Sequence, residues 1–202
     1  AVDLRLRPEG SRGSLVNSLG AAERYYEAWG RTWERAALLR ARAIEGPAEL
    51  VQQFERDVLT PFVFRHRVEP SLAASMLELA ERARLELCSA PERDLKLGIG
   101  GIREAEFFVQ SLQLIWGGKE PSLRVKGTLH ALERLKSRGL VTDLEERAIA
   151  DAYTLLRRVE HRVQWMAGTQ THLLPQEAAE QQRLARSLGL PDAASLHAQL
   201  RE

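Results

Sequence analysis

Residues 1–10 read Ala-Val-Asp-Leu-Arg-Leu-Arg-Pro-Glu-Gly, and the first seven alternate strictly. Val2, Leu4 and Leu6 fall on one side of an extended chain and Asp3, Arg5 and Arg7 on the other, the period-two pattern of a half-buried strand. Pro8 and Gly10 end it, and Ser11-Arg12-Gly13-Ser14 reads as loop. Nearly everything that follows has helical spacing. A lone strand leaves its backbone donors and acceptors unpaired and buries little, so its sheet partners are expected upstream of Ala1. The expected fold is mainly α, a helical bundle following the last strand of an α/β domain. The opening has no apolar leader and reads as an internal piece of a longer chain.

Outward from the strand, residues 20–43 carry Tyr25, Tyr26, Trp29 and Trp33 at helical spacing, with a break at Gly30. These aromatics are expected in the core rather than on a base-stacking platform. Residues 47–65 predict one or two short helices interrupted before Pro61. Residues 70–88 align Leu72, Met76, Leu79 and Ala83 in one stripe. A connector over 91–101 ends in Gly98-Ile99-Gly100-Gly101 and leads into a helix over 102–116, stopped by Gly117-Gly118. A further helix is expected over 122–138, with Gly139 just past its end. The longest, over 143–165, is opened by Thr142 with Glu145 three residues on, a capping box. Pro175 and Pro191 each open a short final helix.

The 202 residues are 44% hydrophobic and 28% charged, with a mean hydropathy of −0.31, which excludes a disordered chain. Lys+Arg number 29 against 28 Asp+Glu, a net charge of +1. No global field therefore recruits nucleic acid or an anionic membrane, and any anion site is local. No apolar run approaches the roughly 18 residues of a membrane span. The single cysteine, Cys88, forbids an internal disulfide and a Cys-rich zinc module, which fits a cytoplasmic protein.

Three groups of residues could carry chemistry. Asp3, Arg5 and Arg7 share one strand face. They suit a solvated edge with weak ion pairs, or a metal-binding carboxylate beside arginines that grip phosphate. Gly98-Ile99-Gly100-Gly101 precedes a helix, where free N–H groups can meet a phosphate. Arg103 nevertheless stands where a dinucleotide fingerprint needs Gly, and no Gly-Lys-Ser/Thr follows, so a tight turn between helices is the plainer use. Glu104 and Glu106 point about 200° apart on a helix, so at most one faces a site; Arg103 can neutralise Glu106 at i,i+3. Arg157, Arg158, Glu160, His161 and Arg162 form a charged stripe expected to make solvated or interhelix ion pairs. The histidines have no metal-ligand spacing.

Taken together, Val2–Gly10, Lys96–Gln110 and Tyr153–Arg162 resemble the bifunctional glutamine synthetase adenylyltransferase/adenylyl-removing enzymes of bacteria. Ala22-Glu23-Arg24-Tyr25-Tyr26, Trp33-Glu34-Arg35 and Gln170-Thr171-His172-Leu173-Leu174-Pro175 fit the same family. Gly100-Gly101-Ile102-Arg103-Glu104 and Arg157-Arg158-Val159-Glu160 look like its N-terminal half, which removes AMP from glutamine synthetase by phosphorolysis.

The resemblance implies a polymerase-β-like nucleotidyltransferase domain ending near residue 46 and a helical domain over 47–202. It implies Asp3 as the third carboxylate of a two-Mg²⁺ site whose Asp-x-Asp pair lies upstream, so that this stretch alone is inactive. Arg5, Arg7, Gly100, Gly101 and Arg103 would then face nucleotide or phosphate (ADP or ATP). Glutamine synthetase and the signalling protein PII are the implied partners. Two other readings remain: a non-catalytic helical module docking either partner, and a relative of the PII uridylyltransferase.

Overall fold

The computed structural model describes all residues except 1–3, 5, 68, 69 and 202. The chain is helical. Helix α1 spans Leu19–Ala28, α2 Thr32–Leu38, α3 Ala48–Gln53, α4 Thr60–Val63, α5 Leu72–Leu87, α6 Ile102–Trp116, α7 Thr128–Ser137, α8 Asp143–Ala167, α9 Ala178–Ser187 and α10 Ala193–Gln199. Among the described residues the sole extended pairing is an antiparallel bridge between Asp94 and Leu173, and no helix is long and apolar enough to cross a membrane. Most of the expected strand over residues 1–7 lies outside the described residues; Leu4 and Leu6 are exposed, and Leu6 and Arg7 sit in a bend.

The expected break at Gly30 separates α1 from α2. Pro61, by contrast, does not interrupt its helix. Between α3 and α4, residues Phe54–Leu59 widen into a π-helical turn, and the Thr60 N–H reaches back five residues to the Glu55 carbonyl. In a regular α-turn a proline ring collides with the carbonyl four residues earlier. The wider turn moves that carbonyl aside and lets the helix run through. The helix expected from 122 instead begins at Thr128, after a short 3₁₀ turn over Pro121–Leu123.

The chain divides into two compact units, Ala1–Met76 with Gln110–Ala131, and Leu77–Val109 with Leu132–Glu202. In the first, α1 packs on the π-turn and α2 on α4, with Tyr26 and Phe62 ring centroids 4.6 Å apart. Arg35 is buried and donates to the Val63 carbonyl at 3.0 Å. The buried Gln113 amide donates to the carbonyls of Leu123 and Val125, pinning the 3₁₀ turn. In the second, Leu95, Val159, Val163, Leu174, Leu184, Ala185 and Leu196 form one apolar cluster. Helix α8 starts as the sequence indicates, with Thr142 Oγ1 accepting from the Glu145 N–H and the Glu145 carboxylate accepting from the Thr142 N–H.

Candidate functional site

The connector before α6 is organised by one carboxylate. Asp94 is buried, and its Oδ1 accepts from the Lys96 and Leu97 N–H groups at 2.9 and 2.7 Å. Its Oδ2 lies 3.4 Å from His172 Nε2. Backbone bonds from Leu95 to His172 and from Leu174 to Arg93 then lay residues 171–174 alongside the connector. Burial pushes the Cys88 thiol up, and the neighbouring Asp94 carboxylate adds to the shift. A protonated thiol is a poor nucleophile, and Cys88 lies half-buried just past the end of α5.

Gly100 and Gly101 have different tasks in the turn. Gly100 sits at φ +70° with open space around it, whereas a Cβ on Gly101 would stand 2.8 Å from the Gly98 carbonyl oxygen and 2.9 Å from that of Lys96. The N–H groups of Ile102, Arg103 and Glu104 donate to the carbonyls of Leu95, Lys96 and Gly101, and the Gly100 N–H donates to the Glu104 carboxylate. The donors that a phosphate cradle would offer are thus already used within the turn.

Glu104 also pairs with Arg84 at 3.1 Å. Glu106 points elsewhere, into a buried network: its Oε1 accepts from Tyr153 Oη at 3.1 Å and from Arg157 at 2.8 Å. Arg157 also holds the buried Glu160 at 2.7 Å. Burial opposes the Arg157 charge, but the Tyr153 and Glu160 hydrogen bonds and the Glu106 charge outweigh it and leave its pKa raised. The expected Arg103–Glu106 pairing gives way to this interhelix network, and the Arg103 guanidinium lies 5.6 Å over the Phe107 ring.

In the other unit, the Arg7 guanidinium donates to the carbonyls of Leu4, Ser11 and Gly13 and so holds the loop together. Asp3 and Arg5 lie outside the described residues. Tyr25 Oη donates to Glu34 Oε1 at 2.9 Å, and the Arg31 N–H donates to Glu34 Oε2 at 2.9 Å. Tyr26 is buried as expected, but Trp29 and Trp33 are 74% and 43% exposed, so these two indoles are not core. Among the described residues no three His, Cys, Asp or Glu side chains come close enough to hold a metal ion.

A family model described as GlnD PII-uridylyltransferase matches residues 71–202, and one described as glutamate-ammonia ligase adenylyltransferase matches residues 1–57. The chain is 43% identical, over 98% of its length, to a bifunctional glutamine synthetase adenylyltransferase/adenylyl-removing enzyme of Stenotrophomonas maltophilia, of which it covers 21%. Proteins of the same name from Ralstonia nicotianae and Bradyrhizobium diazoefficiens are 40% and 43% identical over 98% and 95% of the chain, which covers 23% and 20% of them. The chain spans about a fifth of the length of these curated relatives. Residues 71–202, the larger part of the chain, belong to the family described as GlnD PII-uridylyltransferase, and along nearly its whole length the chain is homologous to proteins named bifunctional glutamine synthetase adenylyltransferase/adenylyl-removing enzyme.

Proposed function

We propose that this chain is part of an enzyme that removes AMP from glutamine synthetase by phosphorolysis. A phosphate oxygen attacks the adenylyl phosphorus, the bond to the tyrosyl oxygen breaks, that oxygen takes a proton, and ADP leaves. The reading is carried by one observation: identity of about 40% runs through nearly the whole chain to enzymes whose names include adenylyl removal. The run Gly100-Gly101-Ile102-Arg103-Glu104 supports the adenylyl-removing half over the adenylylating one. In this reading residues 1–46 close the nucleotidyltransferase domain and 47–202 form its helical domain.

Asp3 is then a metal ligand, with Arg5 and Arg7 beside the transferred phosphate. Magnesium enters only through Asp3. The described residues contain no donor cluster of their own, so no step is assigned to the metal. Gly100 and Gly101 serve by shaping the turn that presents Arg103, and contact with nucleotide or phosphate falls to the Arg103 side chain. Glutamine synthetase is the substrate partner, and PII the regulatory one. A second reading, a helical module docking PII, is favoured by the match of residues 71–202 to a family named for PII uridylylation.

The test is ADP release from adenylylated glutamine synthetase with phosphate and Mg²⁺, using the longer enzyme that contains this chain. Asp3→Asn is expected to lose activity about 100-fold with folding intact, as removal of a metal-binding carboxylate should. Equal activity of both forms removes Asp3 from the site. No release from either leaves the docking module.

A further inference from the structure

Trp29 ends α1 and Trp33 begins α2, and both indoles border one cavity of about 440 Å³ whose other walls include Glu9, Tyr25, Arg31 and Glu34. That volume is within the range of small-molecule sites. The walls are held stiffly. A Cβ on Gly30 would stand 2.1 Å from the Phe62 ring and 2.5 Å from the Tyr26 carbonyl, so the turn between the two indoles is locked onto the core. Glu34, 3% exposed, ties Tyr25 of α1 to the Arg31 N–H at the start of α2. Glu9 is the single non-glycine residue at positive φ among those described, at 62°. This conformation costs about 1 kcal/mol and collects at binding sites.

The chemistry of the lining narrows the ligand. Indoles held open to solvent at 74% and 43% offer flat apolar faces on which a planar ring stacks. The exposed Arg31 guanidinium supplies a charge that attracts phosphate. The Glu9 carboxylate is an acceptor for an exocyclic amino group, which adenine carries and uracil lacks.

We propose that this cavity binds an adenine nucleoside diphosphate, with Trp29 and Trp33 stacking the base, Arg31 meeting phosphate and Glu9 accepting from the exocyclic amine. The inference rests on the nucleotide chemistry proposed above and adds a base-recognition site to it.

The experiment follows the four indole N–H resonances of the 202-residue chain by NMR during titration with ADP, UDP, inorganic phosphate and tetramethylammonium. ADP is expected to move Trp29 and Trp33 and leave Trp116 and Trp165 in place. Trp29→Ala and Trp33→Ala should each weaken ADP about 10-fold, since stacking is worth about 1–3 kcal/mol per base. The unmoved Trp116 and Trp165 signals show that these variants remain folded. Glu9→Ala should erase the preference for ADP over UDP.

Trp29 and Trp33 signals that ignore ADP overturn the site, as do signals that follow phosphate alone or the cation more strongly. If the longer enzyme releases ADP while these indoles stay still, this site falls and phosphorolysis stands. If the indoles respond and the enzyme releases nothing, the site stands and phosphorolysis falls.

Discussion

Arg157 and Glu106, 51 positions apart in sequence, meet at 2.8 Å between α8 and the first turns of α6. The Arg157 fork also takes Glu160, whose side chain is 5% exposed. Two segments that carry the family resemblance, 96–110 and 153–162, are thereby fastened to each other by charge. Arg157→Met takes from the buried carboxylates of Glu106 and Glu160 the guanidinium they share, at an expected cost of about 3 kcal/mol in urea unfolding. Arg157→Lys keeps the charge but cannot fork to both carboxylates, and should recover only part of it. A loss under about 1 kcal/mol for Arg157→Met would show an ordinary surface pair.

The glycines of the connector separate two physical effects. Gly101→Ala must move backbone, because its Cβ meets two carbonyl oxygens under 3.0 Å; overpacking of this kind costs about 2 kcal/mol. Gly100→Ala meets no atom and pays only for its left-handed backbone, about 1 kcal/mol. Thermal unfolding of the two variants should preserve that order, and the reverse order would refute the close-approach account.

The start of α8 gives a pH prediction. Hydrogen bonds from the Thr142 N–H and hydroxyl hold the Glu145 carboxyl below its ordinary 4.5. Its folded pKa is depressed, so the stabilisation is present above about pH 4.5 and is lost as pH falls through the folded value. Carbon-detected titration of Glu145 should give a midpoint below 4.5, and Thr142→Ala should raise it while costing about 1 kcal/mol. A midpoint unchanged in Thr142→Ala removes the hydroxyl from the explanation and assigns the shift to the Thr142 N–H, which the variant keeps.

At the alkaline end Tyr26 reports on the core of its unit. Burial, with the Glu34 charge adding, pushes its phenol up to about 12. The folded pKa is raised, so the contribution is complete below pH 10.0 and disappears as pH climbs toward 12. Tyrosinate absorbance should show Tyr26 ionising last and together with unfolding. Tyr26→Phe, which removes the titrating group, should flatten that part of the stability profile.

Boundaries marked by local chemistry were legible. Thr142 with Glu145, Gly30, and Gly139 at φ +68° each act within a turn of their own position, so the sequence displays them. What escaped depended on partners far along the chain. Helical spacing groups Trp29 and Trp33 with Tyr26, yet a locked turn leaves the indoles outside and the phenol inside. Spacing places Glu160 in a charged stripe of solvated or interhelix ion pairs without naming its partner, and nothing near Glu34 in sequence marks it as buried; Arg157 and Tyr25 beside them are seen only in the fold. The glycine-rich run reads most plainly as a tight turn, with a phosphate cradle as the alternative, and the backbone bonds show the turn's donors already taken. The site residues that carry the functional reading most directly, Asp3 and Arg5, lie outside the described residues.

The π-turn over Phe54–Leu59 also has a consequence for chain length. Each residue advances an α-helix by about 100°, and a π-turn absorbs one extra residue while the flanking segments keep their phase. Deleting one residue within 54–59 would close the turn to ordinary α geometry and leave Phe62 facing Tyr26 and Val63 in its buried seat. Pro61 would then meet the carbonyl four residues before it, so a relative one residue shorter there would need another residue at that position.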